Sequence, residues 1–311
     1  MLTLQRILVP TDFSESAALA QAQANHLAYR HQANLHVLHV TRTPTLSDLV
    51  PRARLTDWVR RHAPQATPAM RRPESALEGI LQHADSHDVD VIVMGTHGRR
   101  GVRDALLGST AERVMRRARA PVLTVRAGTD RGTTDRLHRI LVPIDFSEPS
   151  RSLIAHARHM AATWQAEVTL LYVVEEPRFP HFFRLDAHRA DLPTLAVRAQ
   201  TELKTLARAT DGPEIPLNGH VLTGDPAATI VEFAAVQGFD LILTATHGWT
   251  GLQRFMIGSV AEQVVRTAPC PVLTIKGYGQ SLVERATAPD AAQDATPRTE
   301  STRTGAVLSP D

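Results

Sequence analysis

Lysine is almost missing from this chain: Lys204 and Lys276 are the only two among 34 basic residues, so arginine carries nearly all the positive charge. Against 32 acidic residues the formal net charge is only +2. No basic block stands out, which argues against a nucleic-acid-binding arm. A single cysteine, Cys270, excludes an internal disulfide and a cysteine-based zinc site. In the run PCPVLTI it reads as a small buried residue. No apolar run approaches the roughly 18 residues of a membrane span, and no secretory leader precedes Arg6. The expectation is a soluble, cytoplasmic protein with neither membrane nor nucleic acid as partner. Aromatics make up only 5% of a chain that is 43% hydrophobic, so its cores are aliphatic. Neither a P-loop lysine pattern nor a dinucleotide fingerprint occurs. The 15 histidines read as scattered. His36 and His39, three apart on one strand, face opposite ways, so zinc is not expected.

What the chain does have is a duplication. Residues 6–17 (RILVPTDFSESA) and 139–150 (RILVPIDFSEPS) agree at nine of twelve positions. The stretches from Gly108 (GSTAERVMRRARAPVLTV) and Gly258 (GSVAEQVVRTAPCPVLTI) agree at eleven of eighteen. Two copies at so long a period mean a doubled domain rather than a solenoid. Between the shared blocks the second copy has gained 17 residues, around Glu175 to Thr194. Phe179, Phe182 and Phe183 make that insertion either a candidate contact surface for an unidentified protein partner or for the other domain, or a patch that packs onto its own helix.

Each copy alternates short β-rich apolar runs with helical stretches, which argues for a parallel sheet covered on both faces. The expected fold is α/β: two tandem flavodoxin-like or Rossmann-like five-stranded parallel-sheet domains forming a pseudo-two-fold pair. The domains are placed at 1–126 and 139–276, with a linker at 127–138 and a disordered tail at 277–311. In the first copy helices are expected at Ser14 to Arg30, Arg52 to His62, Ser75 to His87 and Ser109 to Arg117. The second has a longer helix from about Asp191 to Thr210. Arg72-Pro73-Glu74 stands where the second copy has the turn Gly224-Asp225-Pro226.

The chemistry-bearing stretch follows the fourth strand: Gly95-Thr96-His97-Gly98, nine residues, then Gly108-Ser109 and a helix. Gly95 allows close approach of a ligand and Gly98 can take a positive φ. The N–H groups of Ser109, Thr110 and Ala111 at the helix start suit an anion. Asp12, ending the first strand, can accept from a ribose hydroxyl or hold a metal beside phosphates. The same residues have a plainer reading: Ser109 with Glu112, and Ser259 with Glu262, have capping-box spacing. Both readings stand on the sequence.

Together the RILVP-D-FSE opening, the MGTHGRRG loop, the GSTAERV helix start and the PVLTV ending resemble the universal stress protein family in its tandem form, from Gln5 to Lys276. That family's ATP signature (Gly, two residues, Gly, nine residues, Gly, Ser or Thr) is met by Gly95, Gly98, Gly108 and Ser109. The resemblance implies ATP, with Mg held through Asp12. Pro10, Thr11, Asp12 and Val40 would line the adenosine side. Met94, Gly95, His97, Gly98, Gly108, Ser109 and Thr110 would line the rest, with Arg99 adding positive charge. In the second copy Asp145, Val173, His247, Gly248, Gly258, Ser259 and Val260 correspond. Ala245 replaces the first glycine there, so the first copy is expected to be the better site.

The leading expectation is an ATP-binding stress-response regulatory protein without fast hydrolysis. The alternatives are a nucleotide-independent interaction module, and a slow ATPase or an enzyme that phosphorylates itself at Ser109 or Thr110. The apolar final strands APVLTV and CPVLTI should lie at sheet edges, which must be covered or paired; the resemblance implies that they meet, making the two copies an intramolecular pseudo-dimer. Dimerisation of whole chains is left open.

Overall fold

The computed structural model describes residues 2, 4–41, 49–96, 107–126, 137–175, 192–245, 258–277 and 280–283. The first half runs β1 (Arg6–Pro10), α1 (Glu15–His31), β2 (Asn34–Val40), α2 (Leu49–His62), β3 (Thr67–Arg71), α3 (Ala76–Ser86), β4 (Val91–Gly95), α4 (Ser109–Arg117) and β5 (Val122–Val125). The second half repeats the order with β6 (Arg139–Pro143), α5 (Glu148–Trp164), β7 (Glu167–Glu175), α6 (Leu192–Ala209), β8 (Leu217–Gly224), α7 (Pro226–Gln237), β9 (Leu241–Ala245), α8 (Ser259–Thr267) and β10 (Val272–Ile275). Glu176 to Asp191, which includes the three insertion phenylalanines, lies outside the described residues.

Local chemistry explains the helix ends. Ser14 caps α1 by accepting the Ala17 N–H at 3.3 Å. Glu15 in the first turn and Arg30 and His31 in the last complement the helix dipole, and Gln32 stops the helix in a left-handed conformation. Its buried face is Ala17, Ala20, Ala24 and Leu27, small enough to lie close to the sheet. Helix α2 starts at Leu49, earlier than the expected Arg52, because Pro51 fits a first turn where its missing N–H costs nothing.

The strands form one ten-stranded sheet in the order β3-β2-β1-β4-β5-β10-β9-β6-β7-β8. Pairing is parallel within each half, and β5 meets β10 antiparallel, Leu123 opposite Leu273. The apolar final strands therefore cover one another's edges, as expected of them. Alternation along each strand divides the core into two layers. Ile7 and Val9 belong to the layer that includes α1, α2, α5 and α6, whereas Leu8 belongs to the layer that includes α3, α4, α7 and α8. Both layers contain residues of both halves, so the two copies share each apolar layer.

Two carboxylates fix where the halves begin. Asp90 Oδ2 accepts the N–H groups of Gln5 and Arg6 at 2.7 and 2.8 Å. Asp240 Oδ2 does the same for His138 and Arg139, at 2.8 and 3.0 Å. The segment expected to be a tail begins by packing: Leu282 is buried, Val283 bridges Leu2, and His156 Nε2 accepts the Leu282 N–H. Residues 284–311 lie outside the described part. Cys270 is buried, as its sequence context suggested. Among the described residues no helix is long and apolar enough to cross a membrane.

Candidate functional site

In each half the chain leaves β1 or β6 in one direction and returns on its other side, so β1–β4 and β6–β9 are switch points of the topology. Crevices at the carboxyl ends of such strands are where open α/β sheets hold ligands. Pro10, Thr11 and Asp12 end β1, Val40 ends β2, and Met94 and Gly95 end β4, so these expected site residues meet at one sheet edge. Pro143, Asp145 and Val173 take the matching places in the second half. His97, Gly98, Arg99, His247 and Gly248 lie outside the described residues.

The turn after β1 is tightly built. The Thr11 N–H donates to the Leu38 carbonyl at 2.8 Å. Thr11 Oγ1 accepts the Phe13 N–H, and Asp12 Oδ1 accepts the Ser14 N–H, both at 3.0 Å. Phe13 thereby takes a φ of 64°, a region that costs energy for a bulky side chain. Packing holds it there: the His39 ring lies 4.4 Å from Phe13, Trp58 lies 5.5 Å away, and the Arg54 guanidinium sits over its face. His39 Nδ1 lies 2.8 Å from the Thr11 carbonyl, which can only accept, so that nitrogen carries the proton. Phe146 repeats the conformation with a φ of 60°, with Tyr172 in the place of His39. The sequence reading placed Asp12 here but missed the His39–Phe13 buttress, whose signal was its repetition as Tyr172–Phe146.

Asp145 is engaged by hydroxyls. Its Oδ1 accepts from Ser147 N–H, Ser147 Oγ and Ser150 Oγ, at 3.0, 2.5 and 2.9 Å. Ser150 is buried, and its counterpart in the first half is Ala17.

The start of α4 corrects the capping-box reading. Gly108, not Ser109, is the N-cap, and among the described residues no side chain caps the helix; Gly258 stands likewise at α8. The Glu112 N–H bonds to the Gly108 carbonyl at 3.0 Å, which moves the helix start one residue ahead of what the box requires. Glu112 turns instead to Arg116 at 2.9 Å. Gly108 itself donates to the Thr96 carbonyl at 2.7 Å, tying the helix start to the end of β4. An α-helix cannot satisfy its own first N–H groups, so an uncapped start at a switch point suits an anion. Ser109 is exposed and Thr110 half-buried, whereas Ser259 and Val260 are both exposed.

Gly95 has a different reason from the one its sequence position suggested. A methyl group there would stand 2.7 Å from the Ser16 carbonyl oxygen, so the glycine admits the start of α1, not only a ligand. Ala245 has no positive φ and packs against the core, so its backbone is unstrained. The α3 turn also differs from the sequence pairing. Ser75 and Asp225 are the matching N-caps, accepting from Glu78 and Ala228 N–H. Register pairs Val40 with Arg71 and Val173 with Leu222, so the first half carries one more residue in this turn.

These features define a tandem doubly wound α/β protein with a candidate anion-accepting crevice in each half. The model of the Universal stress protein family matches residues 3–126 and 136–276, and the chain belongs to that family. A universal stress protein of Methanocaldococcus jannaschii is 36% identical over 138 residues, covering 44% of this chain and 81% of that protein. Among solved structures, a putative universal stress protein from Pseudomonas aeruginosa UCBPP-PA14 superposes with a TM-score of 0.64 at 20% identity, over 88% of this chain and 93% of that one. One from Archaeoglobus fulgidus DSM 4304 gives 0.58 at 20% identity, over 87% and 98%. At these identities the two structures speak for the fold.

Proposed function

We propose that the first half binds an adenine nucleotide, ATP in the first instance, and that the protein acts as a cytoplasmic, nucleotide-responsive regulator of a protein partner. The observation that carries this reading is the start of α4: an uncapped helix N-terminus held to the end of β4 at the β1–β4 switch point. Phosphates would lie on the N–H groups of Ser109, Thr110 and Ala111. Thr11, Asp12 and Val40 would face the nucleoside, with Asp12 accepting from the ribose or holding a nucleotide-bound Mg. The glycine spacing that resembles the family's ATP signature supports the same placement. Rapid hydrolysis is not part of the proposal, since neither lysine of the chain stands near this loop in sequence.

The first half is the stronger candidate. Thr110 offers a hydroxyl where the second half exposes Val260, and the first half keeps Gly95 where the second has Ala245. The test is to denature the purified protein, identify any adenine nucleotide released, and titrate ATP by calorimetry. About one ATP per chain, lost in Gly108→Val and retained in Gly258→Val, is the expected result. No nucleotide and no heat at millimolar ATP would overturn the proposal and leave a nucleotide-independent interaction module.

A further inference from the structure

The opposite edge of the first half's sheet carries a cluster that the sequence reading passed over. His36, near the amino end of β2, points to the same sheet face as Leu38, toward α3. His83 and His87 lie one turn apart at the end of α3, His83 within the helix and His87 at its C-cap. The fold brings the three rings together. His36 Nδ1 is 3.1 Å from His83 Nε2, the His36 and His87 centroids are 5.2 Å apart, and the His83 and His87 rings stack at 4.0 Å. One ring nitrogen from each residue lies within 4.8 Å of the other two.

We propose that His36, His83 and His87 form a binding site for a divalent transition-metal ion, zinc in the first instance, that clamps the end of α3 to β2. Three nitrogens around zinc, at about 2.1 Å from the ion, stand roughly 3.3 Å apart. The His36–His83 pair is already near that spacing at 3.1 Å, and the half-buried His87 has only to swing inward. The orientation of His87 is suited to ligation. Its Nδ1 lies 3.0 Å from the His83 carbonyl, which can only accept, so Nδ1 carries the proton and Nε2 keeps its lone pair. A backbone carbonyl on the far nitrogen is how metal-bound histidines are commonly held.

His83 is 3% exposed, and its Nδ1 has no hydrogen-bond partner among the described residues. The second half shows what plain packing looks like there. Counting from the caps Ser75 and Asp225, Phe233 takes the place of His83 and Gln237 that of His87; register puts Thr169 where His36 stands. Phe233 packs on Phe239. All three ligands are therefore confined to one copy.

Burial, helped by neighbouring charge, favours the neutral form of His36 and His83. Burial, then His87, His36 and Arg71, push His83 down to about 4, and burial with His87 and Arg6 lowers His36. At neutral pH zinc does not have to displace a proton from His36 or His83. The two nearby guanidiniums oppose a cation, but both are engaged. Arg6 bonds the Asp88 carbonyl and lies 3.9 Å from its carboxylate, and Arg71 bonds Ser86 Oγ. Imidazole donors favour zinc, copper or nickel over magnesium or calcium.

The experiment is a zinc titration of the full chain without any affinity tag, by competition with a chromophoric chelator, followed by cobalt(II) substitution read in the visible spectrum. Expected are one zinc per chain, a four-coordinate cobalt spectrum, and a Tm that rises with zinc. His83→Phe, which installs the second half's residue, and His87→Gln should each weaken zinc by roughly tenfold or more. His39→Gln, on the other face of β2, should leave it unchanged. If His83→Phe does not fold, His87→Gln alone decides. No zinc retained against the chelator, or equal binding by wild type and His87→Gln, would overturn the proposal.

Discussion

Thr124 and Thr274 are counterparts across the seam between the halves. Thr124 Oγ1 donates to the Val272 carbonyl and Thr274 Oγ1 to the Val122 carbonyl, both at 3.1 Å. Both threonines are 2% exposed, so neither hydroxyl has water as an alternative. Beside the seam each helix carries its own symmetric pair, Arg116 with Glu112 in α4 and Arg266 with Glu262 in α8, and Arg116 also reaches Glu262 at 4.0 Å. Arg116 of α4 thus reaches across the seam to α8.

The Thr124→Val/Thr274→Val protein should lose both cross-seam bonds. At about 0.5–1.5 kcal/mol each the expected loss is about 1–3 kcal/mol in all. Urea unfolding should show a lower midpoint with an unchanged m-value. An unchanged midpoint would mean that the β5–β10 ladder alone sets the strength of the seam.

Gly95→Ala should destabilise through packing whether or not a nucleotide is present. The new methyl would stand 2.7 Å from the Ser16 carbonyl oxygen, and overpacking of this kind costs about 1–3 kcal/mol. Ala245→Gly should cost less, about 0.5–1 kcal/mol, through added chain freedom. Thermal unfolding of the two ligand-free variants checks the asymmetry; equal losses would contradict it.

Ser109 separates capping from ligand binding. As the first helical residue after Gly108 it gives no cap, so Ser109→Ala should change stability by less than about 0.5 kcal/mol while weakening ATP. Ser75→Ala, which removes a real cap, should cost about 1 kcal/mol. A large stability loss in Ser109→Ala would restore the capping-box reading. Chemical denaturation of both variants, with ATP calorimetry on Ser109→Ala, supplies the comparison.

Lys276 predicts a pH dependence. It is buried at the end of β10, its Nζ donating to the Arg116 carbonyl, and burial pushes it down to about 8 from 10.5. Between those values the unfolded chain binds more protons than the folded one, so stability rises with pH from about 8 toward 10.5. Below about 8 both states are charged and the cost of burying the ammonium is present in full. Subtracting the Lys276→Met profile from wild type over this range isolates the rise. A flat difference would show that the ammonium stays well solvated.

The sequence by itself determined the doubling, the strand–helix alternation, the parallel sheets and two apolar final edges that had to be covered. Those features rest on short-range periodicity and on an edge that must be covered, and both are written locally. It also put Asp12, Val40 and Gly108 at one sheet edge, since strand ends meet there in any doubly wound fold. Tertiary structure decided which atoms approach which. Gly95 answers to Ser16, Thr11 to His39, and His36 to a residue 47 positions away. The spacing of His83 and His87 was legible as one helical turn, but their third partner was not. A strand and a helix separated by a whole β-strand in sequence meet only through packing, which composition and periodicity do not encode.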